Sequence, residues 1–181
     1  SREMLVEPLL YPSPNAAFGL KDFPHVNTEL LTRYLNAATQ ARRVGTSVLL
    51  YGDSGTGKTE LSRALAKRCG RTLYEIRSTA LASKYADDEF NSRFPNKDRL
   101  RYLSLLNSLL TNKSNAMLLV DECEGLFENV DSQYSKEHLQ RFIEQNDIPC
   151  IWITNYVQSL EVSFIRRFKL AVHVPLSLIH I

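Results

Sequence analysis

The feature that most constrains this chain is a cluster of glycines between an apolar run and a helical pattern. The chain has 181 residues and only seven glycines, and Gly52, Gly55 and Gly57 lie within six positions of each other. Glycine is favoured where the backbone takes a positive φ or comes close to another group. The apolar run 47–51 precedes the cluster and a helical pattern over 58–69 follows it. We therefore expect a tight turn from a strand into a helix.

The turn has the sequence GDSGTGKT over residues 52–59, which matches the phosphate-binding pattern Gly-x4-Gly-Lys-Ser/Thr. In such a loop the amide N–H groups point at anionic oxygens, and the helix start adds its positive end. Lys58 would reach the β- and γ-phosphates, and the Thr59 hydroxyl would coordinate Mg²⁺. The alternative is a glycine-rich turn without a ligand. The predicted binding residues are Gly52, Asp53, Ser54, Gly55, Thr56, Gly57, Lys58, Thr59 and Glu60.

Short apolar runs alternate with helical patterns along the chain, which predicts a three-layer α/β fold with right-handed crossovers. The run 116–121 has no polar alternation, as expected of a strand that is buried on both faces of a parallel sheet. The segment 80–98 lacks periodicity and is predicted to be a long surface loop. The predicted strands are 47–51, 72–76, 116–121, 150–154 and 170–174. The predicted helices are 28–43, 58–69, 99–110, 135–145 and 161–167.

Two acidic residues end the third predicted strand, in the sequence MLLVDE. Ligands of parallel sheets bind beyond the carboxyl ends of the strands. Asp121 is placed to hold Mg²⁺ there, and Glu122 to polarise a water molecule for attack on a γ-phosphate. The alternative is a strand that ends in solvated carboxylates.

Two further polar features follow the next strand. Asn155 ends the run CIWITN and would orient the attacking water, although a lone asparagine also opens turns. Arg166 and Arg167 lie in the short apolar helix SFIRRF and are expected to point in different directions. An arginine that reaches a neighbour's γ-phosphate would stabilise transition-state charge. The alternative is a solvated basic helix end.

With these motifs in this order, residues 22–175 resemble the ATP-binding core of an AAA+ ATPase. GDSGTGKT resembles Walker A, LLVDE resembles Walker B, Asn155 resembles sensor 1, and IRRF resembles the arginine-finger box. Runs such as DFPHV and SKEHLQRFIEQNDIPCIWITN are most similar to bacterial AAA proteins. The resemblance implies a P-loop NTPase with a five-stranded parallel sheet in the order 5-1-4-3-2. It also implies that ATP and Mg²⁺ are held at a subunit interface and that ATP is hydrolysed. The active form would be a homo-oligomeric ring, usually a hexamer, which remodels a protein substrate.

The chain departs from the family pattern in three places. Asp53 and Ser54 replace a frequent proline pair, which adds a negative charge near the site. Tyr85 stands where classical members carry a pore-loop aromatic residue, but no glycine follows, and the alternative is a loop tyrosine that is half-buried on the surface. No helical lid follows the last strand, and the isolated chain is therefore expected to bind and hydrolyse ATP weakly.

We divide the chain into an extended, proline-rich arm (1–24), the αβα nucleotide-binding domain (25–175) and a short apolar tail (176–181). One interpretation of the tail, LSLIHI, is non-native read-through, because the family usually has polar sequence there. The arm holds four of the seven prolines.

Composition excludes several classes of protein. There are 22 basic and 20 acidic residues, so the charge does not indicate nucleic acid binding. No apolar run approaches the roughly 18 residues of a membrane helix, and the first ten residues do not form a signal peptide. Cys69, Cys123 and Cys150 show neither zinc spacing nor a disulfide framework, which favours a reducing cytoplasmic setting.

Three alternative functions remain open from the sequence. A P-loop kinase would need an acceptor site and a lid, and Glu122 next to Asp121 suits water activation better. A module that binds ATP without hydrolysing it is the second alternative. DNA-handling AAA+ proteins also remain open, although no basic stripe with interleaved aromatic residues is present.

Overall fold

The computed structural model describes residues 11–40, 43–76, 95–113, 115–128 and 133–176. Within these ranges the strands form one sheet that carries helices on both faces. The strands are β1 (Tyr11–Pro12), β2 (Ser47–Tyr51), β3 (Thr72–Ile76), β4 (Ala116–Val120), β5 (Cys150–Thr154) and β6 (Leu170–His173). The helices are α1 (Thr28–Gln40), α2 (Lys58–Arg68), α3 (Pro95–Leu110), α4 (Glu124–Glu128), α5 (Gln133–Gln145) and α6 (Val162–Ile165), with 3₁₀ turns at Leu20–Asp22 and Val157–Ser159.

The sheet order is β1-β3-β4-β5-β2-β6. Strands β2 to β6 are mutually parallel, and when these five are numbered along the chain their order is 5-1-4-3-2, which confirms the predicted topology. The central strand β2 pairs with β5 over its whole length, from Ser47 opposite Cys150 to Tyr51 opposite Thr154. The carboxyl ends of β2 and β5 are therefore level at one edge of the sheet.

Burial on both faces explains why β4 is apolar throughout. Met117 and Leu119 belong to the apolar cluster that includes Leu31 and Leu35 of α1 and Leu61 and Leu65 of α2. Leu118 and Val120 belong to the opposite cluster, with side chains of α3, α5 and α6. Every residue of β4 is buried. The sheet is thus the middle layer of the predicted three-layer fold.

Several element boundaries differ from the sequence prediction. Helix α3 begins at Pro95 rather than at residue 99, because proline suits the first helical turn, where its missing N–H has no partner to lose. The predicted loop 80–98 is therefore wrong for its last four residues, and the rest of it up to 94 lies outside the described residues. Helix α6 has only four residues instead of seven. Helix α4 and strand β1 are not anticipated by any clear periodicity.

The proline-rich arm is attached to the domain by a polar network around Arg63. The Arg63 guanidinium pairs with Glu75 at 2.7 Å and with Glu60 at 2.6 Å. The Ser13 hydroxyl donates to the same Glu75 carboxylate at 2.6 Å, and the Ala17 N–H donates to Glu60 at 3.1 Å. This segment thus packs on α2 and β3, although we expected an extended arm. The domain boundaries at 24 and 175 stay predictions.

The connection between α1 and β2 depends on Gly45. Its φ is +75°, and a Cβ built there would lie 2.0 Å from the Glu144 carbonyl oxygen. The Gly45 N–H donates to the Asn146 carbonyl at 2.9 Å. The backbone of this turn therefore packs directly against the end of α5.

We expect Gly45→Ala to destabilise the protein by about 2 kcal/mol or more beyond Gly70→Ala. Gly70 is the matched control, because its φ is +66° but a Cβ there would meet nothing within 4 Å. Both variants carry the cost of a left-handed backbone, about 1–2 kcal/mol. Only Gly45→Ala adds a clash with backbone. Urea denaturation measures both, and equal losses would contradict the role of the close approach.

Candidate functional site

The loop between β2 and α2 is held against the end of β6. Gly52 has φ +152°, and a Cβ there would lie 2.3 Å from the Val174 carbonyl oxygen. The Val174 N–H donates to the Tyr51 carbonyl at 2.8 Å. Gly55 and Gly57 have φ values of +79° and +87°. The glycine cluster therefore supplies both the close approach and the left-handed backbone that this turn needs.

The Lys58 ammonium lies inside the loop. The residue is only 5% exposed, and Nζ donates to the carbonyls of Gly52 at 2.8 Å and Asp53 at 2.7 Å. It also donates to the Thr56 hydroxyl at 3.2 Å. The positive charge is thus fixed within the loop, next to the first residues of α2.

Burial and nearby carboxylates act on Lys58 in opposite directions. Burial lowers the pKa of Lys58, while Asp121, Asp53 and Glu124 raise it. Glu124 is 9% exposed, and its Oε2 atom is buried without a hydrogen-bond partner among the described residues. Glu124 is not among the site residues that the sequence motifs predict. The available signal was the third acidic residue in DECE, two positions after Glu122.

Thr59 and Asp121 bring two oxygen ligands together. The Thr59 hydroxyl donates to Asp121 Oδ2 at 3.2 Å, which joins the start of α2 to the end of β4. Over the described ranges, no group of three or more His, Cys, Asp or Glu side chains could hold a metal ion. One hydroxyl and one carboxylate still suit Mg²⁺, because this ion takes most of its ligands from water and phosphate oxygens.

Glu122 has a left-handed backbone, with φ +48°, which is uncommon for a residue other than glycine. Its N–H donates to Asp121 Oδ1 at 2.8 Å, and the Cys123 N–H donates to the Ile153 carbonyl at 2.9 Å. These bonds fold the chain sharply after β4 and attach the turn to β5. The Glu122 side chain is exposed at the carboxyl edge of the sheet.

Asn155 lies at the same edge, directly after β5. Strand β5 pairs with β4 on one side and β2 on the other, so this residue follows a strand located between the acidic turn and the glycine loop. The Thr154 hydroxyl accepts the Tyr156 N–H at 3.0 Å and shapes the turn around Asn155. The structure thus brings the loop, Asp121, Glu122 and Asn155 to one edge, as expected.

The two arginines lie at the opposite edge. They follow α6, and the nearby Lys169 N–H donates to the carbonyl of Ser47, the first residue of β2. The glycine loop follows the last residue of β2, about 15 Å further along the strand. Arg166 is exposed, whereas Arg167 forms an ion pair with Glu144 of α5. The structure does not bring either arginine to the chain's own loop.

The remaining candidate residues are also accounted for. Asp53 and Ser54 are exposed on the loop. The Glu60 carboxylate faces Arg63 and the Ala17 N–H rather than the loop. Tyr85 lies outside the described residues.

A parallel sheet with this glycine loop and these acidic residues defines the P-loop NTPase class. Residues 48–176 match the family model "ATPase family associated with various cellular activities (AAA)". The match covers more than half of the chain, and the chain therefore belongs to the AAA family.

Several known proteins are similar to this chain in sequence or in structure. Spastin from Drosophila melanogaster and from Drosophila erecta is 26% identical over 166 residues, which cover 84% of this chain and 20% of spastin. The structure of the FIGL-1 AAA domain in complex with ADP aligns with a TM-score of 0.66 at 20% identity, over 97% of this chain and 62% of that one. Caenorhabditis elegans PCH-2 aligns with a TM-score of 0.61 at 19% identity, over 83% and 43%.

These matches define the limits of the comparison. The structural likenesses show the fold, and the chain spans about one fifth of the length of the spastins that it matches. A specifically bacterial relationship stays a prediction. None of the helices within the described ranges is long and apolar enough to cross a membrane.

We expect Glu122→Gly to be more stable than Glu122→Ala by about 1 kcal/mol, because a left-handed backbone costs about 1–2 kcal/mol for residues other than glycine. Both variants remove the same side chain, so their difference reports the backbone alone. Arg33, exposed on α1, is the control position, where alanine should instead be more stable than glycine by about 1 kcal/mol. The measurement is urea denaturation. An alanine advantage at both positions would contradict the strained turn.

Proposed function

We propose that this chain binds ATP with Mg²⁺ at the loop 52–59 and hydrolyses it. The observation that carries the proposal is the buried Lys58 ammonium, held in the loop at the same sheet edge as the Thr59–Asp121 pair. A fixed positive charge, a glycine-rich turn at the start of a helix and two oxygen ligands together match the needs of a triphosphate. The ADP complex of the FIGL-1 AAA domain supports a nucleotide as the ligand.

Each residue has a distinct role in this proposal. The loop amides and Lys58 hold the β- and γ-phosphates, and Thr59 and Asp121 hold the metal. Mg²⁺ supplies positive charge that neutralises the phosphate oxygens. Glu122 accepts a proton from the attacking water, and Asn155 orients that water through a hydrogen bond. Glu124 adds negative potential near Lys58, which favours its charged form.

The positions of Arg166 and Arg167 support an oligomeric form of the protein. They lie at the amino edge of the sheet and cannot reach the chain's own phosphates without crossing the length of β2. An arginine finger from this chain would therefore act on ATP bound to a neighbouring copy. We propose a homo-oligomeric ring, with a hexamer as the expected form. Katanin, whose solved structure concerns self-assembly and aligns with this chain with a TM-score of 0.64 at 18% identity, is consistent with an oligomer.

The substrate in this proposal is a protein that the ring remodels, in the cytoplasm. The nearly balanced charge, +2 overall, gives no reason to prefer nucleic acid.

We expect Glu122→Gln to lower ATP turnover by about 10²–10⁴-fold, because general-base catalysis contributes about that factor. ATP binding should remain, since the phosphate contacts come from other residues. Phosphate release at saturating Mg-ATP and equilibrium dialysis with labelled ATP measure the two properties. Glu29→Gln is the matched control, because Glu29 is exposed in a surface ion pair on α1.

Two outcomes would contradict this proposal. Wild-type turnover in Glu122→Gln would remove Glu122 from the reaction. ATP binding without phosphate release by the wild-type protein would favour a module that binds the nucleotide without hydrolysing it.

We also expect Arg166→Ala and Lys58→Met subunits to regain activity when mixed. Each variant alone lacks one half of an active site formed between subunits. A mixed ring contains interfaces in which an intact Lys58 faces an intact Arg166. Turnover measured across mixing ratios should pass through a maximum, and a flat low response at every ratio would contradict action between subunits.

A further inference from the structure

The short helix that precedes the two arginines is attached to α5 at both ends. Lys136 Nζ lies 2.6 Å from Glu161 Oε2, where Glu161 directly precedes α6. Arg167, which follows α6, pairs with Glu144 near the end of α5. The two α5 residues are eight positions apart, which corresponds to about 12 Å along the helix. The pairs thus join α6 to α5 at two separate points.

Packing supports the first of these attachments. Lys136 Nζ lies 5.9 Å from the centre of the Phe164 ring, and Phe164 is almost fully buried. Phe164 contacts Phe127 of α4 at a ring separation of 4.5 Å. The hydrogen bond from Lys136 lowers the pKa of Glu161, so this carboxylate is charged at neutral pH.

The two arginines differ in their surroundings. The Arg167 side chain is about one third exposed, and its Nε atom is buried without an acceptor in the described part of the chain. One of its terminal nitrogens donates to Glu144. Arg166 is exposed, and among the described residues its side chain has no ion pair. One guanidinium is thus committed to its own subunit, while the other faces outward.

We propose that Arg167 is a positioning residue which, with Glu144, Lys136 and Glu161, fixes α6 on α5 so that Arg166 alone reaches the ATP of a neighbouring copy. This inference rests on the proposed function and specifies the arrangement of its arginine finger. A four-residue helix is too short to be stable without support from packing. Two contacts at its ends determine where Arg166 points.

The position of Arg166 should affect the rate of ATP hydrolysis. A misplacement of about 1 Å can cost about 100-fold in a reaction that depends on positioning. Loss of one ion pair would tilt α6 without unfolding the domain, because the buried Phe164 still anchors its centre. The expected effect is therefore on kcat in the assembled state, with little change in KM for ATP.

The test is a charge exchange in the natural full-length protein. Arg167→Glu and Glu144→Arg should each lower kcat by about tenfold. This loss is smaller than the roughly 100-fold cost of a 1 Å misplacement, because Phe164 still holds the centre of α6. The double variant Glu144→Arg with Arg167→Glu should recover most of the loss, because the ion pair is restored in reverse. The exchange Lys136→Glu with Glu161→Lys should behave in the same way. Sedimentation verifies that each variant still assembles.

The double variant separates positioning from direct action. It has no arginine at 167, so recovery is expected only if Arg167 works through Glu144. If the double variant is as slow as Arg167→Glu, Arg167 itself contacts the phosphate and the inference is wrong. Should Glu144→Arg fail to fold, Arg167→Lys decides the question, because lysine keeps the ion pair and should retain turnover. Arg166→Lys should lose it, and the reverse order would overturn the assignment.

A second readout does not depend on ATP hydrolysis. Amide hydrogen exchange over 161–168 should become faster in Arg167→Glu and return to the wild-type rate in the double variant. If the wild-type protein releases no phosphate, the proposed function fails, while this exchange pattern still tests the attachment of α6. Unchanged exchange in Arg167→Glu would overturn the attachment whatever the activity.

Discussion

The parallel register of β2 between β5 and β6 decides where the functional groups of this protein lie. Because the strands run in one direction, the glycine loop, the acidic turn after β4 and Asn155 are collected at the carboxyl edge. The same register places the start of β6, and with it the two arginines, at the amino edge. One copy of the chain thus has the proposed nucleotide site at one edge and its basic helix end at the other. This separation is the physical basis for expecting completion of the site by a second copy.

Electrostatics at the carboxyl edge favour an anionic ligand that brings its own cation. Burial makes the charged form of Lys58 less favourable, and carboxylates only partly oppose this effect. A triphosphate would add negative charge next to the ammonium, while Mg²⁺ would offset the repulsion between the phosphate oxygens and Asp121. The triphosphate and Mg²⁺ would therefore each fit the site better when the other is bound. The Thr59–Asp121 hydrogen bond already holds the two oxygen ligands together before either arrives.

The central strands could be predicted to the residue, because 47–51, 72–76 and 150–154 are apolar runs bounded by polar or turn-forming residues. The site residues of the carboxyl edge followed from those strands and from motif spacing. The rest depends on contacts between distant parts of the chain. Glu144 and Arg167 are 23 positions apart, and no local pattern announces their pairing. Glu124 has no motif role that spacing reveals, and its charge acts on Lys58 only because the fold brings the two side chains near each other. Strand β1 has two residues, one of them proline, and exists only because β3 offers an edge.

Strand β1 affects how the molecule behaves in solution. Tyr11 and Pro12 pair antiparallel with Glu75 and Tyr74, and so cover the middle of the outer edge of β3. An uncovered edge strand presents unpaired N–H and C=O groups, on which another chain can build. Proline has no N–H, so β1 ends the ladder instead of offering a new edge of equal quality. The polar network around Arg63 holds this cover in place. The arm therefore acts as protection against intermolecular strand addition, on the side of the sheet farthest from β6.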